Sequence, residues 1–407
     1  MGIEDFIRDA LHEPYDYVAY HVGRELAELH PDKTIVAGRN WEFDLEAFVR
    51  EGQCSVVRDK SVFGNTNTSW EGKGKQPQEK IENSWLNVLW RGELFDVVMI
   101  TWSLSGYRTR HQWIIADNRK LANEFLDAVC EWSCEAREEI LVYQDGYFEK
   151  DKDLSEAIKT ATFDNLILSG SLKQQIQTEF VQFFNSRATY ERYGIPWRRG
   201  SLFIGPPGNG KTHTVKALIN QLAQPCLYVR SFTGCGDVQE HIAEVFKRAR
   251  MTPCIVVLED LDSMIGNESR SFFLNELDGF RANAGVLVLA TTNHPEKLDT
   301  AILERPSRFD RKYYFNLPAD AERLQYVQKW NAELQPELRF SAETAFAVVL
   351  KTDGFSFAYL KELFVSSMTQ WMALEGKTPM DEIVLEQLSW LRDQMSDVKE
   401  EAKKASG

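Results

Sequence analysis

Apolar residues recur at helical spacing from Tyr17 to Leu29. They mix with polar ones over Trp85–Trp90, Leu94–Trp102 and Arg110–Ala116. The first pattern predicts an amphipathic helix and the others half-buried strands. Asp117 offers an N-cap for a helix running to about Cys134, and Ile140–Tyr143 reads as one more strand. Asn65–Asn83 is rich in Gly, Asn and Lys and reads as a loop. From about residue 156 the pattern changes. Cys254–Leu258 is a continuous apolar run, as a strand buried on both faces requires, and Ser201–Ile204 and Val286–Ala290 are runs of the same kind. Helical spacing fills the intervals, as at Val215, Leu218, Ile219 and Leu222. Strand alternating with helix predicts a parallel sheet with crossover helices. From 318 to about 398 the periodicity is helical, and the Lys/Glu/Ala-rich end, 398–407, is expected to fray. The fold class is therefore α/β, in three parts: an N-terminal α/β domain over 1–155, a parallel-sheet core over 156–317, and a helical region with its tail over 318–407.

Composition narrows the function. The chain has 407 residues, 43% of them hydrophobic, enough for two or three domains with real cores. A net charge of −14 argues against a nucleic-acid partner. The longest apolar runs, such as Val97–Ile100 and Val286–Ala290, are far too short to span a bilayer, so no membrane span is expected. The acidic start, Met1 to Phe6, lacks a signal-peptide pattern and the Ser/Thr of a myristoylation site. Six scattered cysteines offer no second pair at zinc spacing and read as reduced thiols of a cytoplasmic protein. No repeat occurs at solenoid spacing.

Candidate chemistry centres on residues 205–212, Gly-Pro-Pro-Gly-Asn-Gly-Lys-Thr, a phosphate-loop pattern. Gly205, Gly208 and Gly210 permit backbone conformations that turn successive N–H groups toward phosphate oxygens. Lys211 adds a point charge at the β- and γ-phosphates, and Thr212 offers a hydroxyl to Mg²⁺. Ser201–Ile204 supplies the preceding strand, and the helix from His213 to Leu222 turns its N-terminus to the anion. The nucleotide-binding candidates are Gly205, Pro206, Pro207, Gly208, Asn209, Gly210, Lys211, Thr212 and His213.

A second site follows the strand Cys254–Leu258, which ends in Glu259-Asp260-Leu261-Asp262. Ligands bind at the carboxyl ends of strands in such sheets. One carboxylate can hold Mg²⁺ and the next can polarise an attacking water. Val286–Ala290 leads into Thr291-Thr292-Asn293, which places Asn293 beside the acidic strand. Asn293 either reports on the γ-phosphate or sits in a turn before Pro295.

With these motifs the chain resembles the AAA family of ring ATPases over roughly Thr162 to Phe364. Thr292-Asn293 matches the family's polar sensor. Arg305-Pro306-Ser307-Arg308-Phe309-Asp310-Arg311 matches its R-P-G-R-F-D-R signature, with Ser307 in the glycine's place. Gly354-Phe355-Ser356 with Ala358 and Leu360 matches G-F-S-x-A-x-L in the helical lid. The resemblance implies an ATP hydrolase with ATP and Mg²⁺, assembled as a homo-oligomeric ring of six or seven. Arg308 and Arg311 would act on ATP in the neighbouring subunit, where a fixed guanidinium charge stabilises the transferring phosphoryl group. By position Glu259 would serve Mg²⁺ and Asp260 the water, with Asn293 beside them. The adenine would lie near Asp164-Asn165-Leu166 and Ala358, with Asn165 and Ala358 as its candidate contacts. A narrower resemblance lies in Tyr190 to Gly200, Y-x-x-x-G-I-P-W-x-R-G, together with Glu259-Asp260 and Thr291 to His294. It points to the branch of the mitochondrial AAA chaperone that moves the folded Rieske protein during complex III assembly, and to its soluble bacterial relatives.

Departures from the family are informative. Glu259-Asp260 reverses the usual Asp-Glu order. Gly234 and Cys235, ahead of Gly236-Asp237, stand where threading unfoldases carry an aromatic–hydrophobic pair, and Phe232 either serves that loop or packs in the core. Ile167 replaces a glycine usual near the adenine, and no sensor arginine follows Gly354. The leading expectation is an ATP-driven remodelling chaperone whose 1–155 domain contacts a protein client or adaptor. The alternative is an ATP-controlled assembly switch or scaffold that recruits a folded partner. A protease is disfavoured, since no H-E-x-x-H occurs and His12-Glu13 runs into Pro14-Tyr15-Asp16. A GTPase is disfavoured by the lack of Asn-Lys-x-Asp.

Overall fold

The computed structural model describes residues 3–39, 43–57, 63–69, 78–104, 107–134, 140–234, 237–278, 285–303 and 308–405. Tertiary contacts divide the chain into two compact units, Met1–Arg137 and Glu138–Gly407.

The first unit is an antiparallel sheet covered on both faces. It comprises helices α1 (Ile3–His12) and α2 (Val18–Leu29), strand β1 (Thr34–Gly38), helix α3 (Leu45–Arg50), strands β2 (Ser55–Val57), β3 (Phe63–Ser69), β4 (Gln78–Trp90), β5 (Glu93–Leu104) and β6 (Tyr107–Ala116), and helix α4 (Arg119–Cys134). The strand order is β1-β6-β5-β4-β2, with β3 also on β4. Successive side chains of a strand face opposite ways, so both faces here feed a core. Leu86, Val88, Phe95, Val97, Met99 and Ile114 pack with Phe48, Phe125 and Val129 of α3 and α4. Trp85, Val98, Ile100, Trp113 and Ile115 pack with Phe6, Val18, Val22 and Leu26 of α1 and α2.

Two local expectations are corrected here. Asn65–Asn83 is loop-like in composition, yet β3 runs to Ser69 and β4 begins at Gln78, paired from Asn65↔Asn83 to Ser69↔Gln78. Ladder hydrogen bonds hold this polar hairpin, which has little apolar pattern to announce it. The N-cap of α4 is Asn118, whose Oδ1 accepts from Leu121 N at 2.9 Å, while Asp117 pairs with Lys33.

The second unit is built on a seven-stranded sheet of order β13-β9-β12-β11-β10-β7-β8. Its strands are β7 (Ile140–Asp145), β8 (Tyr147–Asp151), β9 (Arg198–Ile204), β10 (Cys226–Gly234), β11 (Cys254–Leu258), β12 (Val286–Thr292) and β13 (Arg311–Tyr314). All neighbours are parallel except β7 and β8. The strand Ile140–Tyr143, assigned from sequence to the first part, lies in this sheet as β7, pairing Leu141, Val142 and Tyr143 with Leu227, Tyr228 and Val229. The helices are α5 (Lys152–Lys159), α6 (Leu172–Asn185), α7 (Arg187–Tyr193), α8 (Lys211–Leu222), α9 (Val238–Ala249), α10 (Leu261–Met264), α11 (Asn267–Asp278) and α12 (Thr300–Leu303). Every residue of β11 and β12 is buried, as strands covered on both faces must be. Ile255, Val257, Leu287 and Leu289 face Phe180 and Phe183 of α6 and Val215 and Leu218 of α8.

Four helices follow: α13 (Asp320–Glu333), α14 (Ala342–Lys351), α15 (Phe357–Ala373) and α16 (Met380–Ala405). Val327, Val348, Leu360, Leu363, Ile383, Val384 and Leu388 form their core. Trp330 and Phe340 each stack on Phe364 at 5.1 and 5.9 Å between centroids. Helix α16 continues to Ala405, through the segment expected to fray, because Lys, Glu and Ala are strong helix formers.

Candidate functional site

The phosphate loop bridges the end of β9 and the start of α8. Gly208 and Gly210 have φ of +78° and +90°, the left-handed region that glycine adopts freely. A Cβ on Gly208 would lie 2.6 Å from the Ala358 Cβ, so the loop is pressed against the start of α15. Ala358 N donates to Gly208 O at 3.1 Å. A Cβ on Gly210 would lie 2.9 Å from Leu166 Cδ1. Residues 163–166 and Ala358 thus meet the loop from two sides, the two segments expected around an adenine. Asn165 itself accepts from Lys329 of α13 at 3.1 Å. His213 Nε2 is 3.0 Å from Thr162 O, which ties α8 to the same segment. Asn209 is buried, and its Nδ2 donates to Pro206 O at 3.3 Å.

Lys211 is buried and its ammonium donates to Gly205 O at 2.6 Å, Pro206 O at 3.0 Å and Asn293 Oδ1 at 2.6 Å. Burial holds its pKa below the ordinary lysine value, partly offset by Asp260, Asp262 and Glu259. Asn293 Nδ2 in turn donates to Asp260 Oδ1 at 2.8 Å. Parallel neighbours β9, β12 and β11 thereby bring lysine, amide and carboxylate into one hydrogen-bonded line. The threonines that end β12 brace it: Thr291 Oγ1 accepts from Asp260 N at 3.0 Å, and Thr292 Oγ1 donates to Asp262 Oδ1 at 2.7 Å.

Glu259 is arranged differently. Its Oε2 accepts from the Tyr228 hydroxyl, while its Oε1 is buried without a hydrogen-bond partner. Thr212 is exposed at the start of α8. Mg²⁺ in phosphate-transfer sites takes one or two carboxylates plus phosphate oxygens and water rather than a protein cage. The orphaned Glu259 oxygen and the Thr212 hydroxyl fit that need. Among the described residues no cluster of three metal-ligating side chains occurs.

The two arginines expected to act on a neighbour differ. Arg308 is buried, with its side chain 5% exposed. It donates to Asp278 Oδ2 at 3.0 and 2.7 Å and to Ala301 O at 2.8 Å. Arg311, on the edge strand β13, keeps its side chain 55% exposed and pairs with Glu179 at 2.6 Å. Glu179 also takes hydrogen bonds from Arg199 and from Tyr313 at 2.5 Å. Arg305, Pro306 and Ser307 of the signature, and Cys235 and Gly236 of the expected pore loop, lie outside the described residues. Phe232 is 1% exposed and packs against Phe273, so it belongs to the core. The segment Tyr190–Gly200 has a packing logic of its own. Gly194 ends α7 in the left-handed conformation, Trp197 Nε1 donates to Phe183 O at 3.0 Å, and a Cβ on Gly200 would lie 1.9 Å from Arg308 O.

Sequence reasoning missed Tyr228, and it placed Thr291 and Thr292 beside Asn293 without their bonds to Asp260 and Asp262. Polar residues closing a buried strand were the visible sign for the threonines. Tyr228 gave none, because it meets Glu259 across neighbouring strands.

Comparison with known proteins agrees with this geometry. Residues 201–317 match the family described as "ATPase family associated with various cellular activities (AAA)". The chain is similar to "ATP-dependent zinc metalloprotease FtsH" of Acidothermus cellulolyticus, with 36% identity over 46% of this chain and 30% of that protein. It is also similar to the chloroplastic "ATP-dependent zinc metalloprotease FTSH 6" of Arabidopsis thaliana, with 31% identity over 56% of this chain and 34% of that protein. A third relative is FtsH of Pseudomonas putida, 38% identical over 36% of this chain and 27% of that protein. The chain thus spans about a third of the length of the curated relatives it matches. A phosphate loop, an acidic strand end and a bridging asparagine coincide with the matched residues: the chain carries an ATPase domain of the AAA family, homologous to that of FtsH.

Proposed function

We propose that the chain is a ring-forming ATPase that couples ATP hydrolysis to the remodelling of a protein. The observation that carries the catalytic part is the line Lys211–Asn293–Asp260. Backbone N–H groups of the loop cradle the phosphates, and Lys211 meets the β- and γ-phosphates. Asp260 orients and polarises the attacking water, and Asn293 links that carboxylate to the lysine. Glu259 and Thr212 would hold Mg²⁺, which would supply charge neutralisation on the phosphates. Leu166, Asn165 and Ala358 border the adenine. Arg311 is the exposed arginine able to serve a neighbouring subunit, while Arg308 braces its own segment through Asp278.

In this reading the first unit, Met1–Arg137, contacts a client or adaptor, the sheet that β7 and β8 join is part of the nucleotide core up to about residue 317, and 318–407 is the lid. A ring of six or seven and a cytoplasmic setting belong to the same proposal. Among the described residues no helix is long and apolar enough to cross a membrane. The relatives' protease activity is not carried over, because these 407 residues contain no H-E-x-x-H. The motif Tyr190–Gly200 supports the narrower branch of the Rieske-protein chaperone and its soluble relatives. A second reading, an ATP-controlled switch or scaffold, is favoured by the burial of Phe232, which removes the one nearby aromatic from a threading role.

Steady-state ATP turnover per subunit, measured over a range of protein concentrations with and without a permanently unfolded protein, separates these. Turnover rising with concentration and stimulated by the unfolded protein supports the remodeller. Indifference to the unfolded protein transfers support to the switch, and turnover independent of concentration sinks the ring.

A further inference from the structure

Tyr228 and Glu259 meet because of the register of two parallel strands. Tyr228 of β10 pairs with Val257 of β11, so the two side chains share a face of the sheet. Glu259 lies two residues beyond Val257 and returns to that face. A tyrosine is long enough to reach from its own position to the strand end, and its hydroxyl donates to Glu259 Oε2. The Tyr228 side chain is 5% exposed and belongs to the sheet's core beside its strand partner Val257. That packing leaves it little freedom, so the hydroxyl is a fixed donor. Glu259 Oε1 stays buried with no partner. A buried, unpaired carboxylate oxygen is costly. The pair therefore has the form of a ligand with one oxygen clamped and the other kept for something that enters the site.

We propose that Tyr228 is a positioning residue for Mg²⁺: by clamping Glu259 Oε2 it orients Oε1 toward the metal of the Mg·ATP complex. This rests on the ATP reading above. Such outer partners of metal ligands change metal affinity by about 10- to 100-fold when removed.

The test uses the full chain and a fluorescent ATP analogue. Analogue affinity is measured in EDTA and then during a Mg²⁺ titration, for wild type, Y228F and Y228M. Both variants keep apolar bulk and remove the hydroxyl, and the one read is the one that keeps the wild-type melting temperature. The expected result is unchanged metal-free affinity with a Mg²⁺ midpoint raised about tenfold. In an E259Q background, Y228F should add no further shift, because its action runs through Glu259. An unchanged midpoint, or an additional shift in that background, overturns the proposal. A wild type that binds the analogue equally with and without Mg²⁺ also overturns it and leaves the ATP reading standing. No binding in either condition sinks the ATP reading itself.

Discussion

Asp260 holds its side chain on a backbone that residues other than glycine seldom adopt, φ +53° and ψ +53°. The left-handed conformation costs roughly 1–2 kcal/mol for an L-residue, and the surroundings hold it in place. Thr291 Oγ1 takes the Asp260 N–H, and Ser263 donates N–H and O–H to the Asp260 carbonyl at 2.8 and 2.7 Å. Strain kept by such bracing is common where a side chain must be aimed. Here it aims the shorter of the two acids, Asp260, at Asn293. Asparagine tolerates the same backbone region and still accepts the Asn293 amide, but it cannot polarise water as a carboxylate does. We expect D260N to bind ATP with wild-type affinity and to hydrolyse it about 100-fold more slowly or worse. Single-turnover hydrolysis beside an equilibrium titration reads both, and near-normal hydrolysis would return the water to Glu259.

At the scale of elements, Gly208 of the phosphate loop is pressed against Ser356 and Ala358 of the C-terminal helical region. Gly208→Ala adds a Cβ both at positive φ and 2.6 Å from a neighbouring methyl. We expect it to lower stability by about 1–3 kcal/mol and to weaken ATP binding, read by melting with and without nucleotide. Unaltered melting and affinity would mean that this contact is dispensable. Within the lid, Asp381 of α16 accepts from Ser341 N at 2.9 Å and from Ser341 Oγ and Thr344 Oγ1 at 2.6 Å. Burial raises its pKa, but these hydrogen bonds outweigh it and leave the carboxyl below its ordinary value. A carboxyl depressed on folding contributes stability that is present above its unfolded pKa and is lost as pH falls through the folded one. The stability gap between wild type and D381N should therefore be full at neutral pH and close in acid. A gap that does not change with pH contradicts that role. Elements were legible in the sequence where local rules decide them. Cys254–Leu258 announced itself by unbroken apolarity, and the phosphate loop by its glycines. What stayed hidden depends on pairing. Ile140–Tyr143 reads as a strand but carries no mark of the sheet it joins, and the pairing of β3 with β4 across Asn65–Asn83 shows only in the ladder. The Arg308–Asp278 ion pair spans thirty residues of chain, beyond any local pattern.

For the whole molecule, the question is whether one subunit completes a site. Arg311 stands on an edge strand with more than half its side chain exposed, tethered to Glu179. An exposed ion pair of this kind is worth about 0–1 kcal/mol, so a phosphate offered by a neighbour competes for the guanidinium at small cost. Arg308 does not have that freedom, because leaving Asp278 would strip a buried guanidinium of its partners. A ring built head to tail makes each site from two subunits. Two inactive variants can then repair one another. K211A loses the nucleotide site but keeps Arg311, and R311A keeps the nucleotide site but offers no arginine. Mixed in equal amounts and reassembled, they place an intact nucleotide site beside an intact arginine at about a quarter of the interfaces of a random ring. We expect each variant alone to be nearly inactive and the mixture to recover on the order of a quarter of wild-type turnover, provided a site works independently of its neighbours. The same mixing with R308A serves as the contrast. Its buried pair predicts a lower melting temperature, which K211A subunits cannot restore. An R311A mixture that stays inactive, although light scattering shows mixed rings, would confine Arg311 to its own chain and remove the trans-acting arginine from the mechanism.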